Sequence, residues 1–150
     1  MGEVTLRPIE PGDYERMIAR LDHWWGGRTM TASLPRLFFD HFSDTARIAV
    51  DEQGEMVGFI VGFRSQADSS TAYVHFVGVA PEARGSDVGR TLYEWFFSHV
   101  AAHGCTRVKC LTSVVNTGSV AFHRALGFSV REARDHDGPG QHKMLFERAL

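Results

Sequence analysis

The sequence predicts an α/β (α+β) fold: a mixed, mostly antiparallel central sheet of about seven strands with helices on both faces. Three observations carry this. Hydrophobic periodicity gives the order β-α-α-β-β-β-α-β-α-β-β. The three consecutive central strands predict an antiparallel meander, and the later β-α-β crossover adds parallel pairing. Between these parts, residues 77–92 read as a strand end, a short glycine-bearing turn and the start of a long helix.

Each element has its own signal. Val4 and Leu6 alternate with Thr5 and Arg7 ahead of Pro8, which predicts a short strand near an edge. Pro11-Gly12-Asp13 opens a helix whose Tyr14, Met17, Ile18 and Leu21 share one face and which ends before Gly26-Gly27. Ser33 is expected to cap a second helix, with Pro35 in its first turn and Leu34, Leu37, Phe38, His41 and Phe42 as its stripe. Residues 46–50 predict a strand, Asp51-Glu52-Gln53-Gly54 a hairpin turn, and 55–64 the next strand. The run 56–63 is nearly all apolar, so that strand is expected to be central and covered on both faces.

Residues 71–79 form the following strand after a polar loop. A period of two puts Tyr73, His75, Val77 and Val79 on one face and Ala72, Val74, Phe76 and Gly78 on the other. Val88, Leu92, Trp95, Phe96, His99, Val100 and His103 then follow helical spacing until Gly104. A strand at 107–112, a helix at 116–126, a strand to Ala133, a turn at Asp137-Gly138-Pro139-Gly140 and a strand at 142–148 complete the chain.

The bulk properties narrow the class. The 150 residues suit one domain over 1–150, unbroken by linker or repeat. A formal net charge of -2 argues against a bulk nucleic-acid surface or an anionic-membrane surface. No apolar run approaches the ~18 residues of a membrane span. The first residues lack a signal peptide's basic start and apolar stretch. Cys105 and Cys110 fall at a helix exit and on a strand, so reduced thiols in a cytoplasmic protein are expected. His99 and His103 stand at i, i+4, but the sequence shows no third ligand and no accompanying carboxylate; they read as helix-face residues, and no metal is expected.

The turn after Val79 is the chemical centre. Helix-start N–H groups lack intrahelical partners, and the helix dipole is positive there, so the turn is an anion site. Arg84 and Arg90 flank it. A Walker loop, an early Gly-x-Gly-x-x-Gly and a Gly-x-Ser-x-Gly elbow are all missing from the sequence. What stands there is Val-x-Pro-x-x-Arg-Gly, then Gly89 and an amphipathic helix.

This pattern resembles the acetyl-CoA-binding motif of the GNAT superfamily of N-acetyltransferases, Arg/Gln-x-x-Gly-x-Gly/Ala, which falls on Arg84, Asp87 and Gly89. The family's downstream Asn and aromatic-Tyr-x-x-Leu-Gly-Phe helix is echoed by Asn116 and by Phe122-His123-Arg124-Ala125-Leu126-Gly127-Phe128. The order of elements also resembles the family fold over essentially the whole chain.

The resemblance implies acetyl transfer from acetyl-CoA to an amine by direct attack in a ternary complex. It implies a pantetheine arm lying along Val77, Gly78 and Val79, with the Val77 N–H as oxyanion donor. It implies a pyrophosphate held by the turn Arg84-Gly85-Ser86-Asp87-Val88-Gly89-Arg90, with Asn116, Phe122 and His123 beside the cofactor.

Two residues depart from the pattern. Asp87 replaces a glycine; its carboxylate repels phosphate and can cap the same amides, so weaker CoA binding than in a glycine version is expected. His123 replaces the tyrosine that reprotonates the leaving thiolate, and either donates that proton itself or packs beside the cofactor while water donates. His75 is the better candidate base by pKa, with Tyr73 beside it. The acceptor, a small-molecule or peptide amine, is expected near Trp24, Trp25, Arg28, Phe38, His41, Tyr73 and His75. Many relatives of this type are homodimers, and no feature of the sequence decides that point. A catalytically silent acyl-CoA-binding regulatory module is the rival reading.

Overall fold

The computed structural model describes residues 2–150 and arranges them around a seven-stranded sheet of order β1-β2-β3-β4-β5-β7-β6. The strands are β1 (Thr5–Arg7), β2 (Arg47–Val50), β3 (Met56–Arg64), β4 (Thr71–Val79), β5 (Arg107–Ser113), β6 (Ser129–Ala133) and β7 (Lys143–Ala149). The helices are α1 (Asp13–Trp24), α2 (Leu37–Asp40), α3 (Val88–Ala101) and α4 (Thr117–Ala125). Among the described residues, only the β4–β5 pair is parallel. This is the expected mixed α/β architecture.

β3 is buried from Met56 to Gly62, because both its faces are covered. A Cβ on Gly62 would lie 3.0 Å from the Phe96 ring of α3, so the glycine lets that helix sit close. On the other face Phe59 meets Trp24 of α1 at a centroid distance of 6.4 Å.

α1 starts at a buried carboxylate. Asp13 is fully enclosed, paired with both terminal nitrogens of Arg7 at 2.8 and 2.9 Å, with Arg16 at 2.8 Å and with the Glu10 N–H at 2.7 Å. Burial alone would raise its pKa; the Arg7 guanidinium, the Glu10 amide and Arg16 outweigh that and hold the carboxyl down at about 2.

Three expectations need correction. The second helix does not run on from Ser33. A single 3-10 turn at Thr31–Ser33 stops at Leu34, which sits at φ -122 and ψ 80, and α2 is one turn long. Leu34 precedes Pro35, and the proline ring keeps its predecessor out of the helical region.

In β4, Val61 of β3 pairs with Phe76 but Gly62 pairs with Val74, so His75 is an extra residue in a bulge. The bulge resets the alternation. Tyr73 and Phe76 both lie on the α1–α2 face, stacked against Phe63 and Phe59. Val77 and Val79 turn to the α3 face, where the Val79 side chain comes within 3.6 Å of a Cβ at Gly89. The buried stripe of α3 includes Tyr93, beside Val88, Leu92, Phe96 and Val100, whereas Trp95 and His99 are half-buried and His103 is exposed. Both cysteines are free and buried.

Candidate active site

β4 and β5 pair only where Thr71, Ala72 and Tyr73 meet Arg107, Val108 and Lys109. Beyond that point the strands diverge, and a cleft of about 590 Å³ opens between them. Ala80 donates its N–H to the Val57 carbonyl, across β3. Backbone groups alternate along a strand, so Val79 and Val77 present theirs to the opposite, open edge. The Val79 carbonyl there accepts a bond from Arg84 Nε at 3.2 Å, which agrees with that direction.

The turn to α3 leaves donors free. The first α3 bond runs from the Thr91 N–H to the Asp87 carbonyl at 2.8 Å, so the amides of Val88, Gly89 and Arg90 have no intrahelical acceptor. The Asp87 carboxylate does not cap them. Asp87 sits at φ -88, an ordinary angle for any residue; Gly85, at φ +85, is the turn residue that needs to be glycine. Gly89 serves packing: a Cβ there would lie 2.9 Å from the Phe122 ring.

Arg84 is not a free phosphate ligand. Its guanidinium reaches the carbonyls of Trp24 and Val79 and lies 5.7 Å over the Trp25 ring. Arg84 therefore ties the end of α1 to β4. Arg90, exposed at the helix start, keeps its charge at the turn.

The cleft floor carries a buried chain of polar groups. The Tyr93 hydroxyl lies 2.7 Å from His123 Nε2 and 3.8 Å from Cys110 Sγ. His123 Nδ1 lies 2.7 Å from the Ser119 carbonyl, which can only accept, so Nδ1 carries the proton and Nε2 accepts from Tyr93. The imidazole stacks on Phe146 with centroids 4.3 Å apart. Burial, more than the Ser119 bond offsets, lowers the His123 pKa and keeps the ring neutral. Burial also pushes the Tyr93 hydroxyl well above 10 and the Cys110 thiol up to about 12, so both stay protonated. Tyr93, which stands outside the stripe expected for α3, lines the cleft from the buried side of that helix, between Gly89 and Phe96.

The expected acceptor residues divide. Trp25, Arg28, Tyr73 and His75 line the cleft. Trp24 is packed into the core against Phe59, Phe38 is buried beneath His75 with centroids 4.2 Å apart, and His41 is exposed outside the cleft lining. His75 Nε2 lies 2.7 Å from the Ser33 carbonyl and so donates to it, which leaves Nδ1 as the ring's lone pair. Burial first, then Cys110 and Asp137, push the Tyr73 hydroxyl up to about 12, so Tyr73 is a neutral donor rather than a base. Asp137 and Lys143, from the β6–β7 hairpin, close the far rim and pair with each other at 3.5 Å. Asn116 borders the cleft while capping α4, accepting the Ser119 N–H at 3.1 Å.

Known proteins resemble this chain in sequence and in fold. The model of the acetyltransferase (GNAT) family matches residues 13–128. A mycothiol acetyltransferase of Thermobispora bispora is 31% identical over 137 residues, covering 84% of this chain and 46% of the relative. An L-2,4-diaminobutyric acid acetyltransferase of Nocardia farcinica is 30% identical over 79 residues, covering 53% of this chain and 41% of the relative. The chain thus spans under half the length of these curated relatives. In fold, it resembles a GCN5-related N-acetyltransferase from Kribbella flavida, with a TM-score of 0.75, 18% identity and 98% coverage of both chains.

Proposed function

This chain belongs to the acetyltransferase (GNAT) family, and on that premise we propose that residues 1–150 form one domain that transfers an acetyl group from acetyl-CoA to a primary amine. The observation that carries the reading is the divergence of β4 from β5 beside an uncapped helix start. The open edge of β4 offers backbone groups to an extended amide-bearing arm, and the free amides of α3 suit a pyrophosphate. Acetyl-CoA supplies both, with an acetyl thioester as the activated group.

The residues divide the work as follows. His75 Nδ1 takes the proton that the attacking ammonium must lose. The Val77 N–H receives the charge that develops on the thioester oxygen as the C–N bond forms and the C–S bond breaks. Tyr93 Oη returns a proton to the leaving sulfur by turning its O–H from His123 Nε2 into the cleft, and the phenolate so formed recovers a proton from water before the next turnover. A phenol is ordinarily a weaker acid than a thiol, at about 10 against 8.5. Burial in the floor raises the phenol further, so the transfer relies on the leaving sulfur being drawn into the same floor, where the Cys110 thiol 3.8 Å from that hydroxyl is raised as well.

The acceptor reading is a small molecule or peptide terminus entering between Trp25 and the Asp137 rim. The diamino acid in one relative's name favours a small polar amine. Thiol release from acetyl-CoA across an amine panel, with the mass of each product, tests the proposal. Turnover with at least one amine is expected. Tight CoA binding with no turnover on any amine would leave the silent-module reading in its place.

A further inference from the structure

We propose that His99, His103 and Asp44 form a binding site for a zinc-class divalent cation, remote from the acetyl-transfer cleft. His99, near the end of α3, and His103, in the turn that follows it, have ring centroids 4.9 Å apart. Asp44 arrives from the turn Ser43–Thr45, where no sequence spacing relates it to the histidines. One ligand atom from each of the three residues lies within 4.8 Å of the others.

One distance resembles a site already assembled. His99 Nε2 and Asp44 Oδ2 are 3.1 Å apart. With metal bonds of about 2.0–2.2 Å, the ligand–ligand edge of a tetrahedral zinc site is about 3.3 Å, so this pair needs little movement; the cation displaces the Nε2 proton that the carboxylate accepts, and the neutral ring keeps its proton on Nδ1. His103 Nδ1 donates to the His99 carbonyl at 2.9 Å, which fixes the tautomer that leaves Nε2 as a lone pair. A shift of the exposed His103 side chain completes the triad. The His99 ring is held by stacking on Trp95 at 4.8 Å, and Trp95 is in turn covered by Arg47 at 4.2 Å. Two imidazoles and one carboxylate, with a position left for water, suit zinc, cobalt or nickel rather than magnesium or calcium.

The local charge sets the character of the site. Arg47, over the Trp95 ring, and Arg64 lie within electrostatic range of Asp44, so the cation is held by ligation rather than by a negative field. At 1.5 Å rise per residue, His99 is about 16 Å along α3 from Val88, so the ion takes no part in chemistry at the turn. Its effect is mechanical. It joins the Ser43–Thr45 turn to α3, and that turn directly follows α2, whose Phe38 backs His75.

The test is titration of the full chain, freed of any affinity tag, with zinc chloride by calorimetry and with cobalt by visible absorption. Wild type is expected to take one equivalent, to develop an intense tetrahedral cobalt band and to melt at a higher temperature with zinc. Asp44→Asn and His103→Ala are both at exposed positions, and each is expected to weaken binding at least about tenfold, the least that even an outer partner costs. Melting in EDTA checks that both variants fold. Wild-type affinity in either folded variant, or no heat and no cobalt band in wild type, overturns the proposal.

Discussion

The Tyr93 hydroxyl and His123 Nε2 stand 2.7 Å apart, joining α3 to α4 beneath the cleft. The resemblance to the family motif puts a phenol on the later helix; here an imidazole stands at that position and a phenol on the earlier helix is its partner. Tyr93→Phe is expected to lower kcat by about 100-fold, the lower end for a general acid, with CoA affinity kept. His123→Gln keeps an acceptor for the phenol and is expected to retain most turnover. The reverse ranking, measured by steady-state kinetics, would return the acid role to His123.

Asp87 adds a negative charge to a turn whose free amides attract an anion, and it does not satisfy those amides itself. Asp87→Gly is expected to tighten CoA binding about two- to fivefold, the scale of one charge at a helix N-terminus. The gain should shrink in high salt, because the position is exposed. Calorimetry at two salt concentrations reads both effects; an unchanged or weaker affinity counts against this account.

Arg84 spans two carbonyls, so its charge and its shape can be separated. Arg84→Lys keeps the charge but loses the fork. The melting temperature should fall, by about 1 kcal/mol of stability. The acceptor KM should rise, since Trp25 lies under the guanidinium, while CoA affinity stays nearly level. A large loss of CoA affinity with unchanged KM would mark Arg84 as a phosphate ligand.

The Asp13 carboxyl sits at about 2 when folded, below its ordinary 3.8. A lowered folded pKa adds stability above the unfolded value, and that stability is lost as pH falls from about 4 to about 2. The shift corresponds to about 2 kcal/mol. Urea midpoints over this range should therefore fall more steeply for wild type than for Asp13→Asn, and the difference between the two curves isolates Asp13 from other carboxylates. Parallel curves would show that the pair contributes nothing.

The sequence made the order of elements, the central apolar strand and the anion turn legible, because each depends on local periodicity or on a turn. It hid what depends on one inserted residue or on distant pairing. The bulge at His75 leaves no mark on composition, yet it moves Phe76 to one face and sends Val77 and Val79 to the other. Asp44 lies beside His99 only because the fold returns the chain there. Trp24 and Trp25 look equivalent as neighbours, but the end of α1 buries the first and gives the second to the cleft. The shortened α2 was readable from Leu34-Pro35, where the steric rule for the residue before proline outweighs the apolar stripe.

The short seam between β4 and β5 makes the sheet one in outline and two in mechanics. Three register pairs and the Ser70 carbonyl, bonded to the N–H groups of Thr106 and Arg107, join the β1–β4 half to the β5-β7-β6 ribbon, and Tyr93 and Phe97 of α3 pack on His123, Phe128 and Arg148. A ligand lying along the free edge of β4 would supply the backbone partner that β5 withholds, so it would act as a temporary strand. Binding would then fuse the two halves into one cooperative unit, and cohesion of the domain would rise and fall with each turnover.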